Sequence, residues 1–178
     1  MAKFLKVPIL DLLASGETDA ASGAGVDLED TTATFVTDGV AAGDIVHQST
    51  DNKYFVVDAV DNETELQLTA LDGGTLPIPA SKDYFIHSED VASFKAVVSA
   101  DDVQLISQAS TSTTTLKYGT DGNNTMTITH VPVANELGAE VFQDALVKVL
   151  QQHWNDVSYD ISDDVEVAPM QIIGYAIS

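Results

Sequence analysis

Short bursts of apolar and polar residues, each bounded by a turn-forming pair, fill the first half of this 178-residue chain. Thr31–Thr37, Asp44–Gln48, Tyr54–Val60, Glu65–Thr69 and Asp83–His87 read as β-strands. Asp38-Gly39, Asp51-Asn52, Asp61-Asn62 and Asp72-Gly73-Gly74 between them are residues that tolerate tight turns. Five short strands in so short a span predict a small SH3-like β-barrel. Pro77 and Pro79 make the stretch before the last strand irregular or edge-like, because proline cannot donate to a ladder. Upstream, Lys3–Ile9 reads as a strand with Phe4 and Leu5 to bury, and residues 14–25 (ASGETDAASGAG) read as a flexible linker.

The second half follows a different pattern. Phe94–Val98, Val103–Gln108, Thr113–Tyr118 and Thr125–His130 read as strands. In the last of these Met126, Ile128 and His130 share one face, and Thr125, Thr127 and Thr129 share the other. The period then changes. Leu137, Val141, Ala145 and Val149 recur at i+4 and are joined by Phe142, Leu146 and Leu150, which predicts one helix over residues 136–154 with a wide apolar stripe. Asn135 suits the N-cap, and Glu136 and Glu140 complement the positive helix end. Val157–Ile161 and Gln171–Ile177 add two closing strands. The fold class expected is α+β, mostly β, with the barrel inserted before or into an antiparallel sheet module covered by one helix. The segments are an N-terminal strand or arm and linker (1–25), a barrel (26–90) and a sheet-and-helix assembly domain (91–178).

Charge narrows the function. The chain carries 28 Asp and Glu against 7 Lys and no Arg, a net charge of −21. Phosphate binding requires neutralising cations, so nucleic acid is not an expected partner, and anionic membranes repel such a surface. The acidity serves solubility, binds calcium, or docks on a basic partner. With no cysteine, disulfides and thiolate sites are excluded. The start, MAKFLKVPILDLLASG, resembles a signal peptide only until Pro8 and Asp11 interrupt its apolar run, and nothing approaches the roughly 20 apolar residues of a membrane span.

Candidate chemistry is sparse. Gly39-x-x-x-Gly43-Asp44 lacks the Lys-Ser/Thr pair of a phosphate loop and leads into a strand, so it reads as a turn. His47, His87, His130 and His153 fall in four separate elements without metal-ligand spacing, although His47 and His87 could meet inside the barrel. Acidic pairs such as Asp101-Asp102, Asp163-Asp164 and Glu63/Glu65 lie in polar turns that would not separate their pKa values. No serine sits in a nucleophile elbow, and Trp154 reads as a staple at the helix end. The expectation is a protein without catalytic residues, metal or cofactor.

Two stretches carry a family resemblance. TTATFVTDGVAAGDIVHQSTDNKYFVVDAVDNETELQL resembles a segment that recurs in virion proteins of tailed bacteriophages, marine ones in particular. SADDVQLISQASTSTTTLKYGTDGNNTMTITHV, followed by ANELGAEVFQDALVKVLQQHW, is similar to small phage proteins that decorate capsids or sit at the head–tail junction. The resemblance implies a capsid decoration (cement) subunit of the virion, assembled in the host cytoplasm. It implies the major capsid protein or other virion proteins as partners, and a homo-oligomer such as a trimer. Phe4, Leu5, Val7 and Ile9 are the first candidates for a docking arm. The competing expectations are a neck or tail component, a calcium-dependent carbohydrate-binding adhesin using Tyr54, Tyr84 or Trp154, and a DNA mimic. Because Lys3–Ile9 needs a strand partner for its backbone groups, it is expected to pair with the sheet after residue 93 or with a neighbouring subunit, looping the barrel out between.

Overall fold

A computed structural model of the protein describes residues 3–21, 23–89, 94–119, 124–133, 137–151, 158–160 and 171–178. In chain order the first elements are β1 (Phe4–Ile9), β2 (Leu12–Glu17), β3 (Leu28–Glu29), β4 (Ile45–Gln48), β5 (Lys53–Val60), β6 (Glu65–Ala70) and β7 (Asp83–His87). There follow β8 (Phe94–Ser99), β9 (Val103–Ser110), β10 (Thr113–Tyr118), β11 (Asn124–His130), α1 (Leu137–Gln151), β12 (Ser158–Asp160) and β13 (Ile172–Ile177). The fold is mostly β with one α-helix among the described residues. It divides into two compact units, one of residues 1–10 with 92–178 and one of residues 11–91. The second unit is thus inserted between β1 and β8.

The discontinuous unit holds two sheets. β1 lies between β8, antiparallel, and β12, parallel, with Leu5 opposite Val98 and Val7 opposite Ala96. The other sheet has the order β13-β11-β10-β9, all antiparallel. The single antiparallel sheet expected from the pattern is therefore two, one of them mixed. The core of this unit joins Leu5, Val7, Ile106, Leu116, Met126 and Ile128 to Phe142 and Ala145 of the helix. Each fully buried side chain of that size contributes about 1.5–3 kcal/mol of transfer free energy. The helix buries Ala139, Val141, Phe142 and Ala145, whereas Val147 and Leu150 stay exposed, so the apolar stripe is wider than the face that packs. Asn135, Glu136, His153 and Trp154 lie outside the described residues.

The inserted unit is a six-stranded antiparallel sheet of order β2-β7-β4-β5-β6-β3 that curls into a half-barrel. Its concave core contains Phe35, Val46, Phe55, Leu66, Tyr84 and Ile86. Two sequence expectations fail here. Residues 14–25 do not form a plain linker, because Leu12–Glu17 is strand β2 and pairs with β7. Thr31–Thr37 is a run of turns instead of a strand, because carboxylates capture its amides. The Thr31 N–H donates to Asp19, that of Thr32 to Asp30 and that of Thr37 to Glu63. The expected turns at Asp51-Asn52 and Asp72-Gly73 have left-handed backbones at Asn52 (φ 52°) and Gly73 (φ 76°).

Candidate functional site

The residues expected to form an arm are integral to the fold. β1 has a strand on each edge, and the Leu5 and Val7 side chains are fully buried, with Ile9 packed against the same core. Phe4, on the same strand, is half-buried. Phe4, Leu5, Val7 and Ile9 therefore do not constitute a free docking arm. Removing them from this core would expose it to water.

The carboxylates of the inserted unit are occupied with its turns. Asp44 follows Gly43, whose φ of 102° suits only glycine, and its two oxygens accept the Ala41 N–H at 2.8 Å and the Glu89 N–H at 2.9 Å. The Gly-Asp pair thus closes a turn and ties down the exit of the unit. Asp27 accepts the Leu68 N–H at 2.9 Å. Asp19 and Glu63 each take both the amide and the hydroxyl of a threonine, and those bonds hold both carboxyls below their ordinary pKa. Asp51 is lowered too, first by its bond from Lys82 at 2.8 Å and then by one from Gln48.

One carboxylate is deep in the core. The Tyr84 hydroxyl donates to Asp30 Oδ2 at 2.7 Å, while Asp30 Oδ1 accepts the amide and hydroxyl of Thr32. Burial, followed by the bond to Asp30, pushes the Tyr84 phenol far above its ordinary value of 10.0. Gly16 of β2 passes over this pair, and a Cβ there would collide with Asp30 Oδ2 and lie 2.8 Å from the Tyr84 hydroxyl. Tyr84 and Tyr54 are both buried, which removes them as sugar-stacking platforms.

Within the inserted unit His47 and His87 stay apart. His47 stacks on Tyr54 with ring centroids 4.6 Å apart, and its Nε2–H donates to Asn52 at 3.1 Å. Register sets His47 opposite Phe85 and His87 opposite Ile45, so the two do not face each other as a pair. His130 lies beneath the start of α1. Its Nδ1–H donates to the Val131 carbonyl at 2.9 Å, and Nε2 accepts the Thr114 hydroxyl at 3.0 Å. Burial lowers the pKa of both His47 and His130, favouring the neutral rings. The Gly138 N–H donates to Gln108 Oε1 at 3.0 Å beside this group, so Gln108, Thr114 and His130 seat the helix on its sheet. Sequence alternation placed His130 on the apolar face; that it is a neutral acceptor needed the Thr114 register.

Grooves lined by described residues measure about 250–260 Å³, below the roughly 300–1,000 Å³ of ordinary ligand pockets. Among the described residues no group of three or more His, Asp or Glu is placed to hold a metal ion. No described helix is long and apolar enough to cross a membrane.

Charge is the property that is spatially organised. Residues 11–91 carry 17 Asp and Glu against 2 Lys, a net −15; the remaining residues carry 11 against 5, a net −6. The strands of the β13-β11-β10-β9 sheet contain no carboxylate, and Lys117 is their one cation. No family signature, curated protein sequence or solved structure matches this chain.

Proposed function

We propose that this protein is a structural subunit of a tailed-phage virion, a decoration (cement) protein that binds the outside of the head and stabilises it. The observation that carries the reading is the segregation of charge between the two units. An acidic unit keeps the protein soluble before it docks, because a large net charge resists non-specific association. A carboxylate-free sheet on the other unit offers a surface for protein contact. The polar groups of the inserted unit also support it, since many of its acids are spent on turns and few are gathered towards any reacting centre. Within this reading the inserted half-barrel is a small SH3-like module, the partners are the major capsid protein and further copies of the chain, and the assembled form is a small ring such as a trimer.

The test is to add the purified protein to heads that lack it, then image them and heat them. Density on the outer shell and a raised temperature of head rupture are the expected results. Binding confined to the neck or tail would assign it to the connector instead. Failure to bind any virion part would reject the reading.

A further inference from the structure

We propose that the outer face of the β9–β10–β11–β13 sheet receives the acidic inserted unit of a second copy of this chain. The inference rests on the reading of the protein as a repeated subunit and names the surface through which copies meet. The pairing register defines the face. One row is Leu105, Lys117 and Thr125; the next is Ser107, Thr115, Thr127 and Ala176; the third ends in Thr129 and Gly174. These side chains point away from the core formed by Ile106, Leu116, Met126 and Ile128. All but Leu105 and Lys117 are small, so the surface is flat, and none is an acid.

Charge complementarity selects the occupant. In a chain of net −21, two copies repel wherever carboxylates meet, and the strands of this face present no acidic side chain among the described residues. Lys117 is exposed and has no ion pair among the described residues. Both lysines of the inserted unit are already paired, Lys53 with Asp72 and Lys82 with Asp51. That unit also holds a matching unmet charge. Glu17 and Asp83 stand directly opposite across β2 and β7, both exposed, and no donor or cation reaches either carboxylate among the described residues. Like charges at opposed positions destabilise a sheet, and a cation from outside relieves them. Lys117 of a neighbouring copy supplies it. Since one unit's face meets the other unit's edge, the contact is head-to-tail, and such contacts close into rings when the rotation allows.

Charge reversal in the full-length protein tests this by sedimentation velocity at low salt, with far-UV circular dichroism to verify folding. The wild type should sediment as an oligomer that dissociates as salt rises to about 0.5 M, where exposed charges are screened. Lys117→Glu should weaken association at least about tenfold, because it places like charges together. Combining it with Asp83→Lys, or with Glu17→Lys if that variant folds better, should restore the oligomer. A wild type that stays monomeric, a Lys117→Glu variant that associates normally, or a reversal that restores nothing would each overturn the proposal. Decoration of heads, measured in parallel, separates the two ideas: monomers that still bind heads leave the decoration reading standing while removing this contact.

Discussion

Tyr84 shows how one hydroxyl can hold a small domain together. Its bond to Asp30 satisfies a carboxylate that water does not reach, so Tyr84→Phe should cost about 1–3 kcal/mol in urea unfolding, the penalty of an unsatisfied buried acceptor. The opposed pair Glu17 and Asp83 acts in the other direction. Glu17→Lys converts a cross-strand repulsion into an attraction and should raise the urea midpoint by the equivalent of about 0.2–1 kcal/mol. His47 and His130 set the pH response. Their pKa values are lowered in the fold from 6.5, so below that pH the unfolded chain binds protons that the folded chain resists. Stability is complete above about 6.5 and falls as the pH drops towards the folded values, by up to about 1.4 kcal/mol per unit for each ring. The lowered Asp19, Asp51 and Glu63 add a further loss, confined to pH values below their ordinary 3.8–4.5. Urea melts from about pH 8 to about pH 5, the range in which histidines titrate, should show the first decline, and His130→Gln should flatten it.

At the scale of elements, two glycines fix how close neighbours come. Gly16 lets β2 run over the Asp30–Tyr84 pair, and the same small residues that suggested a linker are what allow a strand there. Gly138 lies in the first turn of α1, where a Cβ would be 2.5 Å from Thr114 Oγ1 and 3.1 Å from His130 Nε2. Alanine favours helices over glycine by about 1 kcal/mol, which taken alone predicts stabilisation. The contact with a buried, β-branched threonine outweighs that gain, so Gly138→Ala should lower the melting temperature. A rise would show that the helix can shift off its seat at little cost.

On the scale of the whole molecule, the ends of the inserted unit meet. The Ser88 N–H donates to the Asp11 carbonyl at 2.8 Å, and in the other unit Ile9 of β1 pairs with Phe94 of β8. Replacing residues 11–91 with a short Gly/Ser turn therefore leaves β1 and β8 as an ordinary hairpin, and the shortened chain should fold with its own cooperative transition. Residues 11–91 alone should also fold, because they own a separate core. Loss of secondary structure in the shortened chain would show that its sheets depend on the insertion. If the shortened chain folds but no longer self-associates, the acidic unit is required for the contact between copies.

Alternation by itself determined most of the strands and the helix. Asp83–His87 and Thr113–Tyr118 match the expected spans, and the i+4 recurrence located α1, because periodicity records which side must face a core. Composition likewise revealed the acidity, since charge needs no structure to be counted. Three features required the tertiary fold. Thr31–Thr37 has the pattern of a strand, but neighbouring Asp30 and the more distant Asp19 and Glu63 compete for its amides. Residues 14–25 look like a linker, and only the pairing with β7 makes their first residues, Ala14 to Glu17, part of a strand. Phe4, Leu5, Val7 and Ile9 have the apolar character of an arm, yet partners some 90 residues and more along the chain bury the strand between β8 and β12. A hydrophobic pattern states that a segment must be covered; which surface covers it depends on contacts made far away in sequence.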